Sequence, residues 1–287
     1  MDRPDRMGPA RRGRSVAETE PDAESGSVEG HLRWRQIHPL GWVLIAWAVG
    51  GIVGRVMGTS YLIGRMRWWM WVANIIGIVM CVRYTWLHRL RIAIEAVSRL
   101  SRQIAWRLSW LVFFISLFNV ITRYGNDYVS QDILIGEFSS LAWMVFGLTF
   151  LLGVNYGVMV GVNPRVDFWW THFDEKRKAW LDFVLHITLL FPFTIMSIRI
   201  LWGYAGISLG RKRSGVWPSG WKVWETWEQS TDAGGLPVGP IKAMILVGFI
   251  LWASQVVAQV IKEGFILIDK RELAGLDEVP EIELRVE

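Results

Sequence analysis

The chain has 287 residues, of which 52% are hydrophobic, and its 31 Lys and Arg outnumber its 26 Asp and Glu. The apolar residues form blocks of about 20 residues, the length that crosses a ~30 Å hydrocarbon layer, whereas a soluble domain spreads them at the period of a helix or strand. This argues against a soluble enzyme, and because the basic residues lie between the blocks, we attribute the net charge of +5 to a membrane surface and expect no nucleic-acid partner.

Residues 1–37 form a polar leader that is rich in Arg, Asp, Glu, Gly, Ser and Pro. Such a segment buries too little apolar surface to offset the entropy lost on ordering, so we predict that it is disordered. No signal peptide is recognisable, because the first apolar block begins only near Pro39.

The rest of the chain predicts an all-α fold, a polytopic membrane bundle of six transmembrane helices. The predicted spans are Pro39–Gly58, Trp68–Leu87, Leu108–Thr122, Phe138–Val162, Ala179–Leu209 and Ile241–Ile261. Arg55 and Arg83 lie near the ends of the first two spans, from which a long side chain can reach the interface. The fifth span is longer than a bilayer requires, and Pro192 is its expected kink point.

An amphipathic helix is predicted between the second and third spans. Its apolar residues recur at helical spacing, with Arg and Glu on the other faces: Leu90, Ile94, Val97, Ile104 and Leu108. This pattern favours a helix lying on the inner leaflet with its basic face toward anionic lipid. The alternative is a connecting helix packed on protein.

The distribution of basic residues predicts the orientation. The leader holds seven Arg, and loops 88–107 and 163–178 are also basic, whereas loop 123–137 has only Arg123. Both termini are therefore expected in the cytoplasm. Loop 210–240, which this topology places outside, conflicts with the rule because it holds four basic residues: Arg211, Lys212, Arg213 and Lys222.

Signatures of catalysis and of cofactors are weak. Residues 206–210 match the G-x-S-x-G nucleophile elbow, but Ser208 is expected to end an apolar helix, and His186 lies about 33 Å away along an ideal helix. A bis-histidine haem needs two buried imidazoles, and only His186 lies deep in a span. With the single Cys81, the sequence predicts no catalytic residue, no metal and no cofactor.

Two glycine ladders mark faces where another backbone can approach closely. One comprises Gly50, Gly54 and Gly58 in the first span, and the other comprises Gly153, Gly157 and Gly161 in the fourth. Each ladder is explained equally well by packing within the chain and by contact with a partner.

Seven polar residues lie inside the spans, and we interpret them as interhelical hydrogen-bonding groups: Asn74, Asn119, Asn155, His186, Arg199, Gln255 and Gln259. No acid is expected at mid-membrane, so the chain is not predicted to carry a cation path of its own.

In the outer loop, Trp217, Trp221 and Trp224 follow helical spacing. They predict a short helix whose aromatic face either docks a periplasmic partner or lies among lipid headgroups.

A series of short motifs follows in a characteristic order between Leu90 and Gly264. They are 119–124 (NVITRY), Glu137, 165–167 (RVD), 179–182 (AWLD), 228–230 (EQS), 234–237 (GGLP) and 240–242 (PIK). This part of the chain resembles the small permease subunit of tripartite ATP-independent periplasmic (TRAP) transporters, the DctQ-like family. The chain departs from that family in having Asn163-Pro164 where His-Val is frequent and in adding two spans.

The resemblance implies a place in the bacterial inner (plasma) membrane, and it implies partners and not an activity. In this family the small subunit pairs with a large permease subunit that moves the cation and solute, and a periplasmic solute-binding protein delivers an organic acid, with branches for 2-oxo acids and other carboxylates. Residues taken as structural or partner-contact candidates are Arg123, Glu137, Gly153, Gly157, Gly161, Arg165, Asp167, Glu228, Gly234 and Gly235.

The implied organisation has four parts. A cytoplasmic leader (1–37) precedes a two-helix membrane extension (38–88), a four-helix family core (89–264) and a cytoplasmic tail (265–287). Three other functions stay open from the sequence: a haem-type electron-transfer anchor subunit, a membrane enzyme acting on lipid, and a small transporter that works alone.

Overall fold

The computed structural model describes residues 37–58, 67–125, 135–161, 172–231 and 235–276, and within these ranges all regular structure is helical. The helices are α1 (Pro39–Val56), α2 (Trp68–Val82), α3 (Tyr84–Gly125), α4 (Ile135–Val160), α5 (Glu175–Leu185), α6 (Phe191–Ser208), α7 (Gly239–Leu267) and α8 (Arg271–Ala274). A π-helical turn, His186–Leu190, joins α5 to α6. Residues 1–36 of the leader and 277–287 of the tail lie outside the described residues.

Five helical segments of the described chain are long and apolar enough to cross a membrane: Pro39–Val56, Tyr84–Gly125, Glu137–Val160, Glu175–Ser208 and Gly239–Leu267. The chain is thus an all-α multi-pass membrane protein. The predicted second span is shorter than expected, because the backbone leaves the helical conformation at Arg83 (φ −94°, ψ 80°) and a new helix starts at Tyr84. At 15 residues, α2 is about 22 Å long and falls short of a ~30 Å layer.

Helix α3 joins the predicted amphipathic segment and the third span in one unbroken helix of 42 residues, about 63 Å long. The buried residues of its first half are Leu87, Arg91, Ser98 and Ser101. Val97 and Ile104, from the predicted apolar stripe, are exposed instead. Leu90, at the start of the stripe, packs against the buried cluster around Cys81 and Phe265, and Ile94 and Leu108 are half-buried. Part of the stripe therefore packs on protein, and part of it is open to lipid.

Helix α7 is the centre of the bundle and contacts α1, α3, α4, α5, α6 and α8. Its second half carries most of its buried residues, including Val256, Ile261 and Phe265, which are 0% exposed. Closer to its start, Gly248 lets α4 approach, since an added Cβ would lie 3.0 Å from the side chain of Leu151. The N-terminal pair, α1 and α2, packs on α7 around Cys81.

The helix irregularity expected at Pro192 is found as the π-helical turn just before it. The Phe191 N–H donates to the His186 carbonyl, five residues earlier, and Pro192 has no N–H to continue the ladder. The turn changes the register between α5 and α6 and begins at His186, which is directed into the bundle.

Candidate partner-contact site

The glycine ladder of α4 has an open face. A Cβ added at Gly153 or Gly157 would meet no atom within 4 Å, so no described part of the chain packs against either residue. At helical spacing along this face lie Phe146, Phe150 and Val160, which are 63%, 64% and 52% exposed. The face therefore combines two small residues with exposed apolar side chains, and no described residue lies within 4 Å of a Cβ added at either glycine.

Gly161 has a different role from the other two members of the ladder. It follows the last residue of α4 with φ +76°, a conformation that glycine adopts readily when it ends a helix. Gly58, after α1, has φ +66° and ends that helix in the same way. Each predicted ladder therefore ends in a helix-terminating residue and not in a third packing position.

The remaining candidate residues do not converge on one point. Arg123 is exposed near the end of α3 and Glu137 is half-buried near the start of α4. These two helix ends meet, because the rings of Phe118 and Phe138 lie 4.9 Å apart. Gly235 is half-buried just before α7. Three further candidates, Arg165, Asp167 and Gly234, lie outside the described residues.

Glu228 forms a clasp that joins the end of α6, the α6–α7 loop and the start of α7. Its carboxylate accepts hydrogen bonds from the Ser208 hydroxyl (2.9 Å) and the Lys242 ammonium (2.5 Å). Its backbone N–H donates to the Ser208 carbonyl (2.9 Å), and its carbonyl accepts from the Val238 N–H (2.8 Å). The hydrogen bonds from Lys242 and Ser208 hold the pKa of Glu228 below its usual value. Ser208, from the elbow-like motif, thus ends a helix and donates to this clasp.

The aromatic segment of the α6–α7 loop does not form the predicted short helix. The backbone makes turns there, and Trp224 has φ 68°, which no right-handed helix allows. The Trp221 indole N–H donates to the Leu209 carbonyl (2.7 Å), holding the loop against the end of α6. Pro218 and Gly220 interrupt the segment, so helical spacing alone was misleading.

Three of the predicted interhelical hydrogen bonds are confirmed. The Asn74 amide donates to the Leu44 carbonyl (3.1 Å), the Ser98 hydroxyl donates to Gln255 (2.6 Å), and the Gln259 amide donates to the Val158 carbonyl (2.7 Å). For Arg199 the interpretation is wrong, because its side chain is exposed and contacts no hydrogen-bonding group in the described part of the chain. The Asn155 amide is buried, and it has no hydrogen-bond partner among the described residues.

A buried contact between His186 and Glu263 was not expected from the sequence. The His186 Nδ1 lies 2.7 Å from Glu263 Oε1, and both side chains are largely buried. They line a cavity of about 250 Å³ together with Asp182, Gln259 and Lys262. Helix α7 continues beyond the predicted end at Ile261, and the apolar run 265–268 was the signal that could have shown this. An acid is therefore buried in the bundle, although close to the end of its helix.

His38 holds α1 and α2 against the centre of the bundle and was also missed. The imidazole is 0% exposed, and its Nδ1 accepts from the Leu40 N–H (3.3 Å), which caps α1. Because Nδ1 accepts, Nε2 carries the hydrogen and donates to the Ile261 carbonyl (3.0 Å). The backbone N–H of His38 donates to the Cys81 carbonyl (3.4 Å) at the end of α2. We call this contact the His38 seat.

Acidification is expected to weaken the bundle through the His38 seat. Burial lowers the pKa of His38, which precedes the first span, from 6.5 to about 4. The unfolded chain therefore takes up a proton at higher pH than the folded chain does, so stability falls as the pH drops from 6.5 toward 4, by about 3 kcal/mol in total. Thermal unfolding in detergent across this range measures the loss, and a His38→Gln variant should show a flatter profile.

No group of three His, Cys, Asp or Glu side chains in the described ranges could hold a metal ion. Comparison of the chain with protein-family models, with curated proteins and with solved structures finds no match.

Proposed function

We propose that this chain is the small membrane subunit of a TRAP transporter. It acts as a scaffold for a large permease subunit in sodium-coupled, binding-protein-dependent uptake of an organic acid such as a 2-oxo acid or another carboxylate. The chain crosses the bacterial inner membrane six times with both termini in the cytoplasm, and α2 is part of the second crossing. The motifs between Leu90 and Gly264 support this proposal.

The observation that carries it is the open glycine face of α4. Lipid tails are as apolar as the helices, so helices associate in a membrane where close packing is gained, and glycine permits the closest approach. Gly153 and Gly157 are open to such packing, and no described residue packs against them. Phe146 and Phe150 beside them supply side chains that a neighbouring helix would contact. The face is suited to a helix of another chain.

The bundle has the properties that a scaffold requires. A transport domain that moves needs a fixed element to move against. Here α7 connects to helices on every side, and its two ends are fastened by the clasp at Glu228 and the seat at His38. Relative motion of the helices would break these contacts, so the bundle should move as one body.

Adding bulk to the open face tests the proposal. We expect Gly157→Leu to lower the amount of large permease subunit that co-purifies with the tagged chain by about tenfold, because the added side chain keeps the two helices apart. The measurement is affinity purification from native membranes in mild detergent, with the partner identified by mass spectrometry as a large multi-span permease.

Ala73→Leu is the matched control, since it adds similar bulk at an exposed position of α2. It should leave co-purification unchanged, and both variants should keep the thermal stability of the wild-type chain. Absence of any large permease from the wild-type preparation would contradict the proposal. A Soret band in the purified chain would favour the haem-anchor alternative, and sodium-driven uptake by the chain alone in vesicles would favour a transporter that needs no partner.

A further inference from the structure

Arg199 lies at a depth where a charged side chain is rarely found. It precedes Ser208, the last residue of α6, by nine residues, or about 14 Å along the helix. In the other direction, His186 lies 13 residues earlier, about 20 Å away. Measured from the Ser208 end, a hydrocarbon layer of ~30 Å places Arg199 near its centre.

The side chain at this depth is directed away from the bundle. Arg199 is exposed, and no carboxylate of the described residues lies within ion-pair distance of it. Its neighbours on the helix are exposed too, with Met196 at 64% and Trp202 at 62%. Beside them, a Cβ added at Gly203 would meet nothing within 4 Å. This face of α6 therefore combines a charge with room for another backbone to approach.

We infer that Arg199 forms an ion pair with a carboxylate on a membrane-spanning helix of a partner chain. Charged residues at mid-membrane persist where they pair with an opposite charge, and an arginine favours a carboxylate because the two groups form parallel hydrogen bonds. Lipid phosphates are a poor alternative, since about 14 Å of helix separates Arg199 from the nearer end of α6 and exceeds the reach of its side chain.

A second copy of this chain does not supply the carboxylate. The acids that lie on the spanning helices are near their ends, as Glu137 is at the start of α4 and Glu263 is four residues before the end of α7. Glu95, on the first half of α3, is held by Arg91. The partner is thus a different membrane protein with an Asp or Glu inside one of its spans. This inference rests on the proposed function only for the existence of a membrane partner.

Cross-linking from position 202 tests the ion pair. A benzophenone amino acid replaces Trp202 in the full chain, expressed in its native membrane, and the adduct is mapped by mass spectrometry. We expect an adduct with an apolar segment of another protein that contains Asp or Glu. In the Arg199→Leu background both the adduct and co-purification should fall by about tenfold, and Arg199→Lys should retain part of each. A probe at Trp69, exposed on α2, is the control for nonspecific labelling.

Reciprocal variants complete the test. Exchange of the mapped partner acid for Asn should cause the same loss, and Arg199→Glu combined with the partner acid changed to Arg should restore assembly. Adducts with lipid only or with a second copy of the chain, or an adduct unchanged by Arg199→Leu, would overturn the inference. If a large permease still co-purifies with the Arg199→Leu variant, the ion pair is wrong but the proposed function stands. If the mapped acid lies in a membrane protein that is not a large permease, the ion pair is supported but the proposed function is wrong.

Discussion

Gly264→Ala is expected to lower the stability of the bundle by about 3 kcal/mol, because the new methyl group would overlap the His38 imidazole. The ring is fully buried and hydrogen-bonded to the Ile261 carbonyl, so it has no space into which it can move. Its displacement would break that hydrogen bond, uncap α1 and separate the N-terminal helices from α7. Thermal unfolding of the purified chain in detergent measures the effect.

Two controls separate this mechanism from a general effect of alanine. Gly153→Ala places the same methyl group in open space on α4 and should be neutral or slightly stabilising, since alanine favours a helix more than glycine does. In a His38→Ala background the Gly264→Ala change should lower the stability of the bundle much less, because the overlapping ring is gone. If Gly264→Ala lowers the stability equally with and without the His38 ring, overlap with that ring is not the cause of the loss.

Glu228→Ala is expected to open the α6–α7 loop and to speed its cleavage by a protease about tenfold. Removal of the carboxylate leaves the Lys242 ammonium and the Ser208 hydroxyl without their acceptor, and a tenfold rise in the open population corresponds to about 1.4 kcal/mol. Limited proteolysis, with fragments mapped to residues 211–231, measures the rate. Global thermal unfolding should change less, since the central contacts of α7 are untouched.

Glu228→Gln serves as the matched control and keeps the shape of the side chain. Its amide oxygen can still accept from Ser208, but the charge that attracts Lys242 is lost, so its cleavage rate should be intermediate. The pKa of Glu228 is lowered in the folded chain, so the clasp is stabilising above the ordinary value of 4.5 and is lost as the pH falls through the lowered value. The cleavage rate of the wild-type chain should therefore rise only in acid. If the wild-type chain, Glu228→Ala and Glu228→Gln are all cleaved at the same rate, the clasp does not hold the loop closed.

Much of the helical architecture was predictable from the distribution of apolar residues. The blocks that begin near Pro39 and Ile241 are spanning helices, because about 20 apolar residues leave the backbone no other way to satisfy its hydrogen bonds in lipid. The hydrogen bonds of Asn74, Gln255 and Gln259 were predictable for a related reason. A polar group within an apolar block gains most from a partner on a neighbouring helix.

Other features depended on contacts that no local pattern records. The ladder of Gly153 and Gly157 identifies a face for close approach, but only the packing of the bundle shows that no described helix occupies it. Arg199 was assigned inward with the other polar residues, but the structure places it on the exposed face of α6. Glu263 was placed beyond a predicted helix end and lies instead in the bundle beside His186.

The sequence by itself determined that this protein is helical and lies in a membrane, because the distribution of apolar residues is a property of the chain alone. The tertiary structure decided which faces are used within the chain and which are left for a partner. Helical periodicity places residues such as Gly153 and Gly157 on a common face, whereas the helix that lies opposite that face is set by packing between segments far apart in sequence.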